Sequence, residues 1–271
     1  MIPDPVTVFD GEHLRAVLFP GTSNRLIATF DYRKPGREGF APANHATGFA
    51  RQGFSQLSIK TAANDWFVNP DTERLEAALA RVAADHERVQ LLGYSMGGYG
   101  ALRFAGALRA RQAVLVSPQA SIDPGRVPWD WRYRAEGRTW DGRLGDLAPR
   151  AERRLGGLLL LDPFVRLDGA HARMILGLFP GLRLARLGFG GHPAIRTLRG
   201  AGKAWVVSRE AGQRRASAAA ILGAHRAARR LSPGWWARMA LRAETRRPAL
   251  AALARDRAAA LPARPGDLDG A

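Results

Sequence analysis

The stretch Val89-Gln90-Leu91-Leu92-Gly93-Tyr94-Ser95-Met96-Gly97-Gly98-Tyr99-Gly100-Ala101-Leu102 decides how the rest of the chain reads. Val89 to Leu92 is a brief apolar run suited to a buried strand, and after the glycines Ala101, Leu102, Ala105 and Leu108 recur with helical period. Strand, tight turn and helix therefore follow one another, with Ser95 at the bend. Such a bend presents a hydroxyl with little steric cover. Glycines at 93 and 97 avoid clashes that a Cβ would make, and the helix N-terminus aims its amides at any negative charge that develops beside the serine. Gly98 and Gly100 let the helix lie close to the sheet. The backbone N–H of Met96 is the first oxyanion donor to expect.

Five residues of the form G-x-S-x-G arise by chance in roughly one chain in ten of this length, so the flanking pattern carries the weight. The competing reading is a glycine-rich helix start that only packs tightly or binds an anion. A phosphate loop fits less well, because no Gly-Lys-Ser/Thr follows and Met96-Gly97-Gly98 supplies no cation.

Upstream, Val6 to Phe9, Ala16 to Phe19 and Leu26 to Phe30 read as short strands separated by Asp10-Gly11 and Pro20-Gly21, a hairpin-like start. Ala43 to Gly53 is a weak helix, Ser55 to Lys60 a strand, and Asp71 an N-cap for a helix running to about Ala84. Downstream, Ala113 to Val116, Leu158 to Leu161 and Leu182 to Leu187 read as buried strands, with a helix over Ala170 to Phe179. Strands alternating with helices indicate a mostly parallel sheet, because parallel neighbours need crossover connections. The expected fold class is α/β: a mostly parallel twisted sheet of about eight strands flanked by helices. Residues 119–154, rich in turns and in Trp129, Trp131, Tyr133 and Trp140, read as a cap-like insertion. Residues 1–200 form the main domain in this reading. Residues 201–271 form an arginine-rich helical extension, with Ser232-Pro233 opening a helix and the last ten residues expected to be disordered.

A hydroxyl needs a base, and the base needs an orienting acid. Of the six histidines, only His192 follows a late strand in a glycine-rich loop, Gly188-Phe189-Gly190-Gly191-His192. His171 falls within a helix and reads as a surface or packing residue, and His225 lies in the basic tail. Two acids compete. Asp162 leaves the strand Leu158 to Leu161 directly and is preferred; Asp168 stands near a helix start and has an N-cap as its plainer role. The second oxyanion donor belongs to the loop after the third strand, at Phe30, Asp31 or Tyr32, with Asp31 the candidate.

These residues resemble the α/β-hydrolase superfamily. Gly93 to Gly98 looks like its nucleophile elbow, Asp162-Pro163-Phe164-Val165 like its acid loop, and Gly191-His192 like its histidine loop. Thirty residues separate Asp162 from His192 and twenty-four separate Asp168 from it; the former is similar to the usual interval and favours Asp162. No His-Gly-Gly-Gly oxyanion segment of the lipase type is present. The resemblance implies a serine hydrolase that passes through an acyl-enzyme on a carboxylic ester or thioester, with transfer to another acceptor as a variant. It places the aromatic insertion over the site, so Trp129, Trp131 and Tyr133 are candidates for the substrate pocket, and Tyr94, beside the serine in the elbow, is another.

Composition limits the rest. The 271 residues, 46% hydrophobic, suffice for one sizeable core. With no cysteine there is no disulfide framework or thiolate nucleophile, and no histidine pair has the helical i, i+4 spacing of a zinc site, so neither a metal nor another cofactor is expected. The N-terminus lacks a basic cluster and an apolar run, and no stretch is long enough to span a membrane, which reads as cytoplasmic. The net charge of +17 comes almost wholly from arginine, with lysine only at Lys34, Lys60 and Lys203; a solvated basic surface is preferred to nucleic-acid binding. Arg126, Arg132 and Arg134 invite an anionic small-molecule or glycan ester as substrate. The alternative function is a non-catalytic protein on the same fold, using its basic C-terminal helices to hold a polyanion or a protein partner.

Overall fold

The structure, a computed structural model, describes residues 4–262. Eight strands form one sheet: β1 (Val6–Asp10), β2 (Leu14–Phe19), β3 (Arg25–Phe30), β4 (Ser55–Thr61), β5 (Arg88–Tyr94), β6 (Gln112–Val116), β7 (Gly156–Leu161) and β8 (Leu182–Arg186). Their order is β1-β2-β4-β3-β5-β6-β7-β8. The pairs β1–β2 and β2–β4 are antiparallel, and every other pair is parallel. This is the α/β-hydrolase fold, with its hairpin at one edge and its order reversing around β3 and β4.

The helices are α1 (Thr47–Ala50), α2 (Thr72–Ala84), α3 (Met96–Arg103), α4 (Arg134–Gly137), α5 (Gly142–Gly145), α6 (Arg166–Leu178), α7 (Arg196–Gly200), α8 (Trp205–Ala211), α9 (Ala218–Arg229), α10 (Pro233–Ala243) and α11 (Pro248–Ala259). Two apolar layers sandwich the sheet, and the central strands alternate between them with the period of two that a pleat imposes. Ala113 and Leu115 of β6 and Leu159 and Leu161 of β7 join Leu75 and Leu79 of α2, Tyr99 and Leu102 of α3 and Ile175 of α6. Val114, Val116, Leu158 and Leu160 face the other way, onto Phe49, Leu198, Val206, Val207, Ile221 and Ala228. Continuous rather than alternating hydrophobicity along these strands follows from burial on both sides.

The segment after Gly200, expected as an appendage, thus supplies one wall of the core. No described helix is long and apolar enough to cross a membrane. The expectation of disorder at the C-terminus falls, from residue 263 onward, outside the described residues.

Asp71 stands at the N-cap position of α2, yet its carboxylate caps nothing there. Its Oδ2 accepts the amides of His13 (2.7 Å) and Leu14 (3.2 Å), and so ties the β1–β2 turn to the helix. Ser232 does act as expected, its Oγ accepting the Trp235 amide at 3.1 Å with Pro233 in the first turn of α10.

Candidate active site

Ser95 sits between β5 and α3 with φ 50° and ψ −119°, a backbone conformation that costs a non-glycine residue roughly 1–3 kcal/mol. Close packing holds it there. A Cβ on Gly93 would lie 2.3 Å from Gly97 O, and one on Gly97 would lie 2.7 Å from the carbonyl oxygens of both Phe30 and Asp31. The elbow therefore accepts only glycine at these two positions, as the spacing of the motif requires.

The Ser95 hydroxyl donates to His192 Nε2 at 3.0 Å. His192 lies in the loop after β8, and its Nδ1 donates to Asp168 Oδ2 at 2.8 Å. Asp168 is 1% exposed and lies in the first turn of α6, which starts at Arg166, four residues earlier than its apolar period suggests. Burial pushes the Asp168 carboxyl up, but the hydrogen bond from His192 and the charge of Arg132 outweigh it and leave the group below the usual carboxylate range.

Asp162, the acid preferred from sequence, makes no contact of this kind. Its Oδ1 accepts the amides of Phe164 (3.0 Å) and Phe189 (3.1 Å), and its Oδ2 accepts Gly191 N–H at 2.9 Å. The carboxylate closes the turn after β7 and anchors the glycine loop that carries His192. The signal was available in part: Asp-Pro-Phe has the form of a turn in which an aspartate accepts the amide two residues on.

The oxyanion side also differs from expectation. Met96 opens α3, so its N–H belongs to the first-turn amides that have no partner within the helix. The Asp31 amide, by contrast, donates to Ile59 O at 3.1 Å, which extends the β3–β4 ladder by one bond and removes that donor. The Asp31 carboxylate is buried between Arg37 (2.9 Å) and Lys60 (3.1 Å). Arg37 also donates to Tyr32 O at 2.7 Å and so fixes the next peptide. Among the described residues no acceptor takes the Tyr32 amide, which leaves it as an available donor next to Asp31.

Residues 119–154 reach the site through side chains other than the tryptophans. Tyr133 Oη lies 3.2 Å from His192 Nε2. Arg132 donates from Nη1 to Asp168 Oδ1 (2.8 Å), and from Nε and Nη2 to the two oxygens of Asp130 (2.9 and 2.8 Å). Asp130 also receives His171 Nε2 at 2.7 Å, while His171 Nδ1 accepts the Ala120 amide at 3.1 Å. Desolvation of its ring pushes His171 down despite the neighbouring carboxylate.

Trp131 is 69% exposed, and Trp129 rests on the His171 ring with centroids 4.6 Å apart. Tyr94 packs against the second core layer and hydrogen-bonds Ser208, away from the serine hydroxyl. The arginines considered for an anionic substrate are committed within the fold. Arg126 pairs in a fork with Asp146, Arg132 grips two carboxylates, and Arg134 donates to Pro128 O at 3.2 Å. Among the described residues no cluster of three or more histidine, aspartate or glutamate side chains converges as a metal site.

The C-terminal helices hold the histidine loop from outside. Trp235 Nε1 (2.9 Å) and His225 Nε2 (3.0 Å) both donate to Gly188 O, and Arg238 Nε donates to Phe189 O at 2.8 Å. The Phe189 ring lies between Phe164, stacked at 4.3 Å, and Trp235, edge-on at 5.4 Å.

No protein-family model and no curated protein sequence matches this chain. Solved structures do. The chain is similar to a capsule O-acetyltransferase of Neisseria meningitidis serogroup A, at 14% identity over 66% of this chain and 85% of that one, with a TM-score of 0.47. It is similar to an esterase of Pyrococcus furiosus at 16% identity over 73% and 84%, with a TM-score of 0.45. An S-formylglutathione hydrolase from Agrobacterium tumefaciens matches at 14% identity over 67% and 85%, with a TM-score of 0.41. Likeness at this level concerns the fold, and one fold hosts many reactions.

Proposed function

We propose that this protein is a serine hydrolase of carboxylic esters or thioesters, with Ser95 as nucleophile, His192 as general base and acid, and Asp168 as the orienting carboxylate. The observation that carries the proposal is the unbroken chain from Ser95 Oγ to His192 Nε2 (3.0 Å) and from His192 Nδ1 to Asp168 Oδ2 (2.8 Å), built on a strained elbow. With Nδ1–H committed to a carboxylate, the Nε2 lone pair is the one that faces the serine.

On attack, Ser95 Oγ bonds the acyl carbon as its proton passes to Nε2, and the carbonyl oxygen becomes an oxyanion. The amides of Met96 and Tyr32 are the donors proposed for it. Asp168 stabilises the imidazolium without taking its proton. Collapse expels the alcohol or thiol, and water or a second hydroxyl then repeats the sequence on the acyl-enzyme. Ser95 is 7% exposed, which suits an acyl group that enters with little bulk around the carbonyl.

A fluorophosphonate probe tests the nucleophile directly. Wild-type protein should be labelled and Ser95→Ala should not, while 4-nitrophenyl ester turnover falls by about 10³-fold or more with an unchanged far-UV spectrum. Equal labelling of both proteins would remove Ser95 from the role.

A further inference from the structure

We propose that the Tyr133 hydroxyl relays the proton between His192 and the leaving or attacking oxygen, so that the inserted segment completes the catalytic machinery. The proposal rests on the reading of Ser95 and His192 as nucleophile and base.

The geometry around Nε2 carries it. Two hydroxyls converge on that atom, Ser95 Oγ at 3.0 Å and Tyr133 Oη at 3.2 Å, but the imidazole has one lone pair there. In the resting protein Ser95 must occupy it to be activated. Once the serine proton has moved, Nε2 is a donor, and Ser95 Oγ has become an ester-like oxygen that accepts poorly. Tyr133 Oη, which hydrogen-bonds Ser95 as well as lying 3.2 Å from Nε2, is then the acceptor in place. Besides His192 and Tyr133, Ser95 Oγ meets Gln119, whose Oε1 already accepts Trp66 Nε1–H at 3.1 Å and whose Nε2 donates to Ser117 O.

The phenol is built to stay put and to stay protonated. Its ring lies against Trp66 with centroids 4.7 Å apart, and the Arg132 and Arg33 guanidinium groups lie 5.1 and 5.9 Å from its centroid. Tyr133 is 7% exposed, and burial pushes its hydroxyl above the ordinary phenol range. Neutral Oη both donates and accepts, which a relay requires.

The step balances. As the tetrahedral intermediate collapses, the carbon–oxygen bond to the leaving group breaks and its electron pair stays on that oxygen. Tyr133 gives its proton to that oxygen while Nε2–H passes to Oη. The phenol and the imidazole both end neutral, and an alcohol departs. In deacylation the attacking water loses its proton to Oη as Oη gives its own to Nε2.

Tyr133→Phe in the full chain tests this with 4-nitrophenyl acetate and benzyl acetate in excess over protein, followed from the pre-steady state onward. Nitrophenolate leaves without a proton and benzyl alkoxide does not. In the variant the nitrophenolate burst should keep its rate within about 3-fold, with turnover after the burst slowed. Benzyl alcohol release should fall by about 10²-fold. Equal loss on both esters, no loss on either, or a wild-type benzyl rate no faster than that of the variant overturns the relay.

A proton inventory on the wild-type protein decides independently of how the variant folds. Benzyl acetate should give a curved plot in mixed light and heavy water, from two protons in flight, and a straight plot counts against Tyr133. Fluorophosphonate labelling separates the two levels of failure. Labelled protein without the leaving-group effect loses the relay alone; unlabelled wild-type protein loses the hydrolase reading and the relay with it.

Discussion

Arg132 Nη1 meets Asp168 Oδ1 at 2.8 Å, on the carboxyl oxygen opposite the one that receives His192. One guanidinium therefore grips the carboxylate that accepts from the His192 ring, and its remaining donors hold Asp130. Two carboxylates, 1% and 6% exposed as residues, share this one cation.

Arg132→Met should destabilise the protein by about 3 kcal/mol or more, because removing one partner of a buried ionic cluster strands the charges left behind. Arg132→Lys should recover only part of this, since an ammonium group lacks the planar fork that reaches both carboxylates at once. Urea unfolding midpoints measure the order wild type, Lys, Met. A Met variant as stable as wild type would mean that Asp130 and Asp168 are held by something else.

Asp168→Asn should lower kcat by about 10⁴-fold with little change in fold, because the amide no longer selects the tautomer whose Nε2 faces Ser95. Asp162→Asn should act on stability first. Its two oxygens receive three backbone amides, and an asparagine side chain retains one acceptor oxygen, so a loss of about 1–3 kcal/mol is expected with a smaller effect on rate. The ranking of the two variants in kcat, measured on a 4-nitrophenyl ester, decides which carboxylate serves His192; the reverse ranking reassigns it.

That pair of aspartates marks where the sequence stops being legible. The strand, elbow and helix around Ser95 rest on local rules, namely apolar runs, glycine at positions with no room for a Cβ, and helical period; each element appears, although α3 ends at Arg103 and leaves Ala105 and Leu108, read with it, in the turns that follow. His192 is singled out by its glycine loop after a late strand, and its ring lies beside Ser95. The acid did not, because Asp162 and Asp168 lie six residues apart at the same end of the sheet, and only the path of the chain through the turn and first turn of α6 determines which carboxylate meets the ring. Asp31 failed for a related reason: whether an amide at a strand end is free depends on the ladder continuing for one more bond, here to Ile59. Arg132 and Tyr133 reach the site across distances that no periodicity encodes. Their arginine-rich and aromatic surroundings suggested substrate binding, whereas their contacts are with Asp168 and His192.

A chain ending at Ala201 should not fold. It would lack Val206, Val207, Ile221 and Ala228, which cover Val114, Val116, Leu158 and Leu160 on one face of the sheet. Each large aliphatic side chain left uncovered forfeits roughly 1.5–3 kcal/mol, so a few of them exceed the usual stability of a domain. A finer change tests the grip of α10 on the histidine loop. Trp235→Phe keeps the ring against Phe189 but removes the donor to Gly188 O, and should lower kcat several-fold, in line with the loss of about 1 kcal/mol. A truncated chain with a native far-UV spectrum and a cooperative melt would contradict the first expectation, and an unchanged kcat the second.

Stability should fall as pH drops from 7.5 to 5.5, through two buried imidazoles. Desolvation pushes both His171 and His225 below their ordinary value. His171 faces Asp130, Arg132 and Asp168, with its Nδ1 already accepting the Ala120 amide; His225 faces Gly188 O, Asp162, Arg229 and Arg238, with its Nδ1 buried and, among the described residues, unpartnered. The unfolded chain takes up a proton on each near pH 6.5, while the folded chain resists, so below that pH the unfolded state binds more protons and stability declines. The limiting slope is about 1.4 kcal/mol per pH unit for each histidine. Asp65, which burial holds above the ordinary carboxylate value, opposes this trend at the acid end. His225→Gln keeps a donor for Gly188 O and removes one of the two titrations, so its unfolding free energy should vary less steeply with pH than that of wild type. Parallel curves for the two proteins, from urea titrations at half-unit intervals, would show that His225 is not one of the groups responsible.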